Sequence, residues 1–304
     1  MTSLAPAVVA AGSDGSVWQV IFSFDNYTEL LPLVRNSLWA AAILGVVGGL
    51  FGTFVIMRDL PFAVHGISEL SFAGAAAALL LGSSVITGSI IGSLLAAAIL
   101  GALGTRARDR NSVIGVLMPF GLGLGVLFLS LYQGRAANKF GLLTGQIVAV
   151  DQTQLSDLAV AAGVALLALI VMWRPLTFAS VDPEVAEARG VPVRLLAPVF
   201  MIALGIAVAI SIQVVGALLV LALLCTPAAA AIRVTASPFW VPVLSTLFAL
   251  TATLGGILLA LGSRIPISPY VTTLSFAIYL LCRLAGRVRS RHGWSSRTHH
   301  AGPA

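Results

Sequence analysis

His65 and Glu69 are the residues of this chain best suited to handling a cation. They lie in a segment, Arg58 to Gly74, that is apolar or small apart from Arg58, Asp59, Ser68 and Ser71. Four residues apart on a helix, the two side chains share one face. An imidazole nitrogen and a carboxylate oxygen are ligands for zinc, or for manganese when more oxygen donors are added. A carboxylate in hydrocarbon costs at least about 2.5 kcal/mol, so such a residue faces a bundle interior or a wet path. At the helical rise per residue, His65 stands roughly 6 Å and Glu69 roughly 12 Å beyond Pro61. A structural role fits the same pair, with His65 at the membrane surface and Glu69 balancing an Arg of another helix.

A second polar cluster lies between Arg174 and Arg194. It reads Asp182, Pro183, Glu184, Val185, Ala186, Glu187, Ala188, Arg189, Gly190. Proline near the start, acids in the first turns and glycine at the end describe a short capped helix. It is either a plain connection or a surface that receives force from a separate ATPase.

The elements that must position these residues are set by composition. Of 304 residues, 59% are hydrophobic and 9% charged, and the mean hydropathy is +1.03. Soluble domains carry roughly 25% charged residues, so the bilayer is the solvent here. Nine candidate spans of about 20 residues fall at 34–56, 62–82, 85–104, 113–132, 155–173, 195–213, 214–232, 240–262 and 268–285. Eight is the alternative count, because Pro227 can break the seventh candidate. With nine crossings and the N-terminus outside, only Arg35, Arg135, Lys139 and Arg264 of the 17 basic residues lie outside. That matches the retention of positive charge in the cytoplasm.

The fold expected is an all-α, polytopic transmembrane bundle in three parts. Residues 1–33 form an extracytoplasmic segment with an interfacial helix near Val17 to Leu31, 34–285 the transmembrane permease domain, and 286–304 a basic cytoplasmic tail expected to be disordered. Small residues such as Gly48 and Gly52, and Gly121, Gly123 and Gly125, suit close helix packing.

Several functions are excluded. The net charge of +6 is scattered between apolar runs, which orients a membrane protein and does not suit nucleic acid. Cys225 and Cys282 sit in apolar stretches with no CxxC motif. No basic region precedes the apolar residues Leu4 to Ala11, so a cleaved signal peptide is not expected. A Walker A loop needs Gly-Lys before Ser or Thr, and the sole lysine, Lys139, lies between Asn138 and Phe140. The chain therefore does not hydrolyse ATP itself.

Three stretches stand in order: Gly52 to Arg58 leading into the His65 segment, the Asp182 to Gly190 loop, and Val214 to Ala231 with Thr226-Pro227 inside it. Together, from about residue 34 to 285, they resemble the zinc/manganese/iron permease family of ABC importers. The resemblance implies a type II importer permease fold in a bacterial plasma (inner) membrane. It implies a second copy of the permease, cytoplasmic ABC ATPase subunits docking on the loop that holds Asp182, Glu184, Glu187, Arg189 and Gly190, and an extracytoplasmic metal-binding protein. Members usually carry Asp and then His four residues apart in the second span. Here the matching positions hold His65 and Glu69, with the order inverted and Asp lengthened to Glu.

The expected function is transport of a divalent metal, zinc first and manganese or iron next. His65 and Glu69 of both copies would ligate it transiently, and no cofactor would be held stably. One alternative is a proton-coupled secondary cation transporter, weakened because the halves show no internal repeat. Another is an ABC permease for a metal chelate such as a siderophore or cobalamin. A membrane metalloprotease lacks its HExxH motif.

Overall fold

The computed structural model describes residues 31–102, 107–134, 141–142, 150–217, 219–261 and 267–295. The expected interfacial helix at Val17 to Leu31 falls almost wholly outside the described residues, as does the end of the basic tail.

Every described element is helical. In chain order they are α1 (Arg35–Met57), α2 (Pro61–Leu80), α3 (Val85–Ala102), α4 (Ala107–Leu131), α5 (Gln152–Val181), α6 (Pro183–Ala188), α7 (Val193–Val215), α8 (Val220–Leu224), α9 (Thr226–Val234), α10 (Trp240–Ala260) and α11 (Ile267–Ser295). Among the described residues, eight helices are long and apolar enough to cross a membrane: α1 to α5, α7, α10 and α11. This suits lipid, because a helix satisfies its own backbone groups where water is absent.

The count is therefore the lower of the two that the sequence allows. The stretch 214–232 is not one span but two short helices, α8 and α9, that meet at Cys225. Gly216 ends α7 at φ 82°, ψ 159°, a conformation open almost solely to glycine. The chain then doubles back. A methyl on Gly48 or Gly52 would strike Leu223 or Leu224, and one on Gly286 would strike the Arg233 carbonyl. This half-length return leaves α10 starting at the end of the bundle where α1 finishes. The parity argument thus survives with a shorter seventh segment.

Close contacts fix the helix directions. The Ser245 hydroxyl donates to the Gly49 carbonyl at 2.8 Å and Thr253 to Ala41 at 3.2 Å, so α10 runs antiparallel to α1. Ser71 donates to the Ser89 carbonyl at 2.9 Å and Ser89 to Ala209 at 3.3 Å, which ties α2, α3 and α7 together. Buried hydroxyls that bond to carbonyls of a neighbouring helix serve as polar glue in lipid. Two thirds of the spanning windows of α1, α2 and α7 are buried, against 22% for α4. These three form the centre, and α4 lies on the outside of α2.

Candidate functional site

The site begins at the joint between α1 and α2. Leu60 donates its N–H to the Val55 carbonyl at 2.8 Å, and Asp59 adopts φ 54°. This is a helix C-cap with a left-handed residue followed by a buried apolar one. Pro61 then opens α2 in its first turn, where a missing N–H costs nothing.

One turn on, His65 Nε2 lies 3.7 Å from Glu69 Oε1. That is too long for a hydrogen bond but within ion-pair range when the imidazole is protonated. The His65 side chain is 33% exposed and that of Glu69 9%, so the imidazole forms the mouth of the site and the carboxylate its floor. Nδ1 of His65 is buried and has no hydrogen-bond partner among the described residues. A polar atom in that condition is costly, and it leaves Nε2, the nitrogen beside Glu69, as the one placed to ligate together with the carboxylate. No Arg among the described residues pairs with Glu69.

The rest of α2 is arranged to present this pair. On one flank Ser68 donates to the Ala217 carbonyl at 3.3 Å, and on the back of the helix Ser71 shares a 2.8 Å hydroxyl contact with Ser89. On the other flank, Gly66 faces Ile114 and Met118, and Gly121 sits against the backbone of Glu69 and Leu70. Phe62 and Leu81, near the two ends of α2, remain 67% and 80% exposed. The imidazole is thus reachable near the Phe62 end of α2, while the Glu69 carboxylate and most of the helix beyond it are packed inside the bundle. Among the described residues no three His, Cys, Asp or Glu gather to hold a metal ion. The pair is at most half of a coordination shell.

The second predicted cluster forms a separate structure. Asp182 caps α6, its Oδ1 accepting from the Val185 N–H at 3.0 Å, and Gly190 closes the helix at φ 84°. Ala186 is fully buried, whereas Glu184, Glu187 and Arg189 are exposed. Glu187 reaches Arg194 at 3.5 Å. So α6 is anchored by one small apolar residue and turns its charges outward. It joins α5 to α7 at the Arg58 end of the bundle and does not touch the His65 and Glu69 pair.

Sequence reasoning grouped Gly121, Gly123 and Gly125. The structure separates them, since Gly121 and Gly125 press on α2 and Gly123 has nothing within 4 Å. The four-residue spacing of 121 and 125 was the available signal.

The family model of the ABC 3 transport family matches residues 31–285. The chain belongs to that family. This ABC 3 protein is 30% identical over 218 residues to the manganese transport system membrane protein MntC of Halalkalibacterium halodurans, covering 70% of this chain and 73% of that one. It is 27% identical over 264 residues to the manganese import system permease protein ScaB of Streptococcus parasanguinis, covering 86% and 94%. Its fold matches a chain of the solved PsaBC from Streptococcus pneumoniae in complex with Fab, with a TM-score of 0.75, 26% identity and coverage of 84% and 95%. The ABC 3 chain is thus a multi-pass membrane permease of a bacterial ABC transporter, and ATP hydrolysis belongs to a separate subunit. This energy source disposes of the secondary-transporter alternative.

Proposed function

We propose that this chain is the permease of an ATP-driven importer for a divalent metal ion, working as a homodimer in which the α2 helices of two copies face each other. The observation that carries this reading is the His65 and Glu69 pair. It lies on a spanning helix, joins a partly exposed imidazole to a buried carboxylate, and is incomplete as a coordination shell among the described residues. A second copy supplies the missing half. Two imidazoles and two carboxylates make a four-coordinate set suited to zinc. Manganese is the second reading, favoured by the names of the relatives and accommodated if water adds oxygen ligands. The metal is cargo. A site built from two weak halves can release it, as conduction requires.

The helix α6 fits a docking element for the ATPase, since its acids and Arg189 face away from the bundle. An extracytoplasmic metal-binding protein would deliver the ion at the opposite end. The deciding experiment places the permease, its ATPase and a binding protein in proteoliposomes and follows radioactive zinc and manganese with and without ATP. ATP-dependent uptake of either ion supports the reading. Uptake of neither ion, with a metal chelate carried instead, would overturn it.

A further inference from the structure

We propose that Arg58 is the positioning residue that carries movement of the docking helix α6 to the metal-bearing helix α2. The proposal rests on the reading of α6 as the ATPase contact.

The side chain of Arg58 bridges the two helices that flank α6. Its Nη1 donates to Ser180 Oγ at 3.4 Å, and Ser180 stands two residues before Asp182, the N-cap of α6. Ser180 in turn donates to the Leu176 carbonyl at 2.6 Å, so its oxygen is held in place to accept. On the other flank, the guanidinium carbon lies 5.9 Å from the ring centre of Phe200 in α7, within cation–π range. Phe200 is fully buried and stacks on Phe51 at 6.1 Å, while Phe54 meets Trp173 edge-on at 4.9 Å. The end of α5 that leads into α6 and the second turn of α7 therefore meet at one guanidinium, over an aromatic cluster that transmits displacement because it is close-packed.

The backbone of Arg58 belongs to the other half of the device. It is the C-cap of α1, and only Asp59 and Leu60 separate it from Pro61 of α2. That joint has no slack. Asp59 is held in the left-handed region, Leu60 is buried and bonded back to Val55, and Val64 is bonded to Leu60 at 3.1 Å. A shift of Arg58 therefore reaches His65 through roughly one helical turn. Among sequence features, the arginine reads only as a topology marker.

The test uses the complete transporter in proteoliposomes and measures metal ions taken up per ATP hydrolysed, with the unfolding temperature of each preparation. Arg58→Gln should hydrolyse ATP at close to the wild-type rate but move about tenfold less metal per ATP, a change within ordinary coupling energies. Arg58→Lys, which keeps the charge and much of the reach, should recover a large part of that ratio. An unchanged ratio in Arg58→Gln would overturn the proposal. So would a proportional loss of hydrolysis and uptake, or a lowered unfolding temperature that Lys does not restore, since these mark a purely structural arginine. If the wild type shows no ATP-driven divalent uptake, the import reading itself falls and takes this proposal with it.

Discussion

Gly121 of α4 rests on the backbone of Glu69 in α2, so closely that a methyl group there would stand 2.9 Å from the Glu69 carbonyl carbon and 2.7 Å from Leu70 Cδ1. The helix α4, which flanks the metal-ligand candidates, is therefore seated by the lack of a side chain. Gly121→Ala should push α4 off α2, at about 1–3 kcal/mol as for other overpacked cores. It should also lower metal uptake per folded protein. Gly163 in α5 has nothing within 4 Å, so Gly163→Ala is the control and should be neutral or slightly stabilising. Equal uptake and unfolding temperature in the two variants would mean that the α2 and α4 contact does not shape the site.

Gly216→Ala should destabilise the protein by about 1–3 kcal/mol, because φ 82° with ψ 159° is a region that side chains do not tolerate. The residue after it carries two ties. Ala217 accepts from Ser68 on α2 and donates to Leu142 at 3.3 Å. Thermal unfolding in detergent measures the effect, and Ser68→Ala should show a smaller loss of about 1 kcal/mol. A Gly216→Ala protein as stable as wild type would contradict the turn that reverses the chain after α7.

How much of this was readable in the sequence depends on the range of the interaction. The short helix α6 was legible in full because its caps are local: Asp182, Pro183 and Gly190 dictate it without help from the rest of the fold. The shared face of His65 and Glu69 followed from helical spacing alone, whereas their unequal exposure depends on α4 and could not. Hydropathy measures apolarity and not helicity, so α5, expected at 155–173, runs on to Val181. In its last turns the hydroxyls of Thr177 and Ser180 are satisfied by the carbonyls four residues earlier, so the helix continues without leaving them unpaired. The same limit made one continuous span of 214–232, because a lone Gly216 leaves no mark on an apolar average.

Charge reversal on α6 should separate docking from folding. Glu184→Arg with Glu187→Arg should abolish capture of the ATPase subunit while membrane insertion stays normal, since both side chains face outward. Losing the exposed Glu187 and Arg194 pair removes roughly 0.2–1 kcal/mol at most, too little to unfold the helix. Ala186→Asp, by contrast, puts a charge at a fully buried position and should impair folding and docking together. Capture of the ATPase by the double variant at full yield would show that the partner binds elsewhere.

The sharpest expectation concerns the pair itself. Glu69→Gln keeps the length and hydrogen-bonding capacity of the side chain but removes the negative charge that attracts a divalent ion. If Glu69 ligates cargo, this variant should insert and unfold as wild type does, yet lose metal uptake by about a hundredfold, the upper range of ordinary coupling. If Glu69 were structural, Glu69→Ala would lower stability as well, because the partner charge would be left unbalanced. His65→Ala removes the one-third-exposed ligand at the mouth and should abolish uptake with little cost in stability, since its Nδ1 makes no hydrogen bond among the described residues that would be lost. The measurement is uptake of radioactive zinc or manganese in proteoliposomes, normalised to folded transporter and read beside the unfolding temperature. Wild-type uptake in both His65→Ala and Glu69→Gln would remove the pair from the pathway, whichever metal the protein carries.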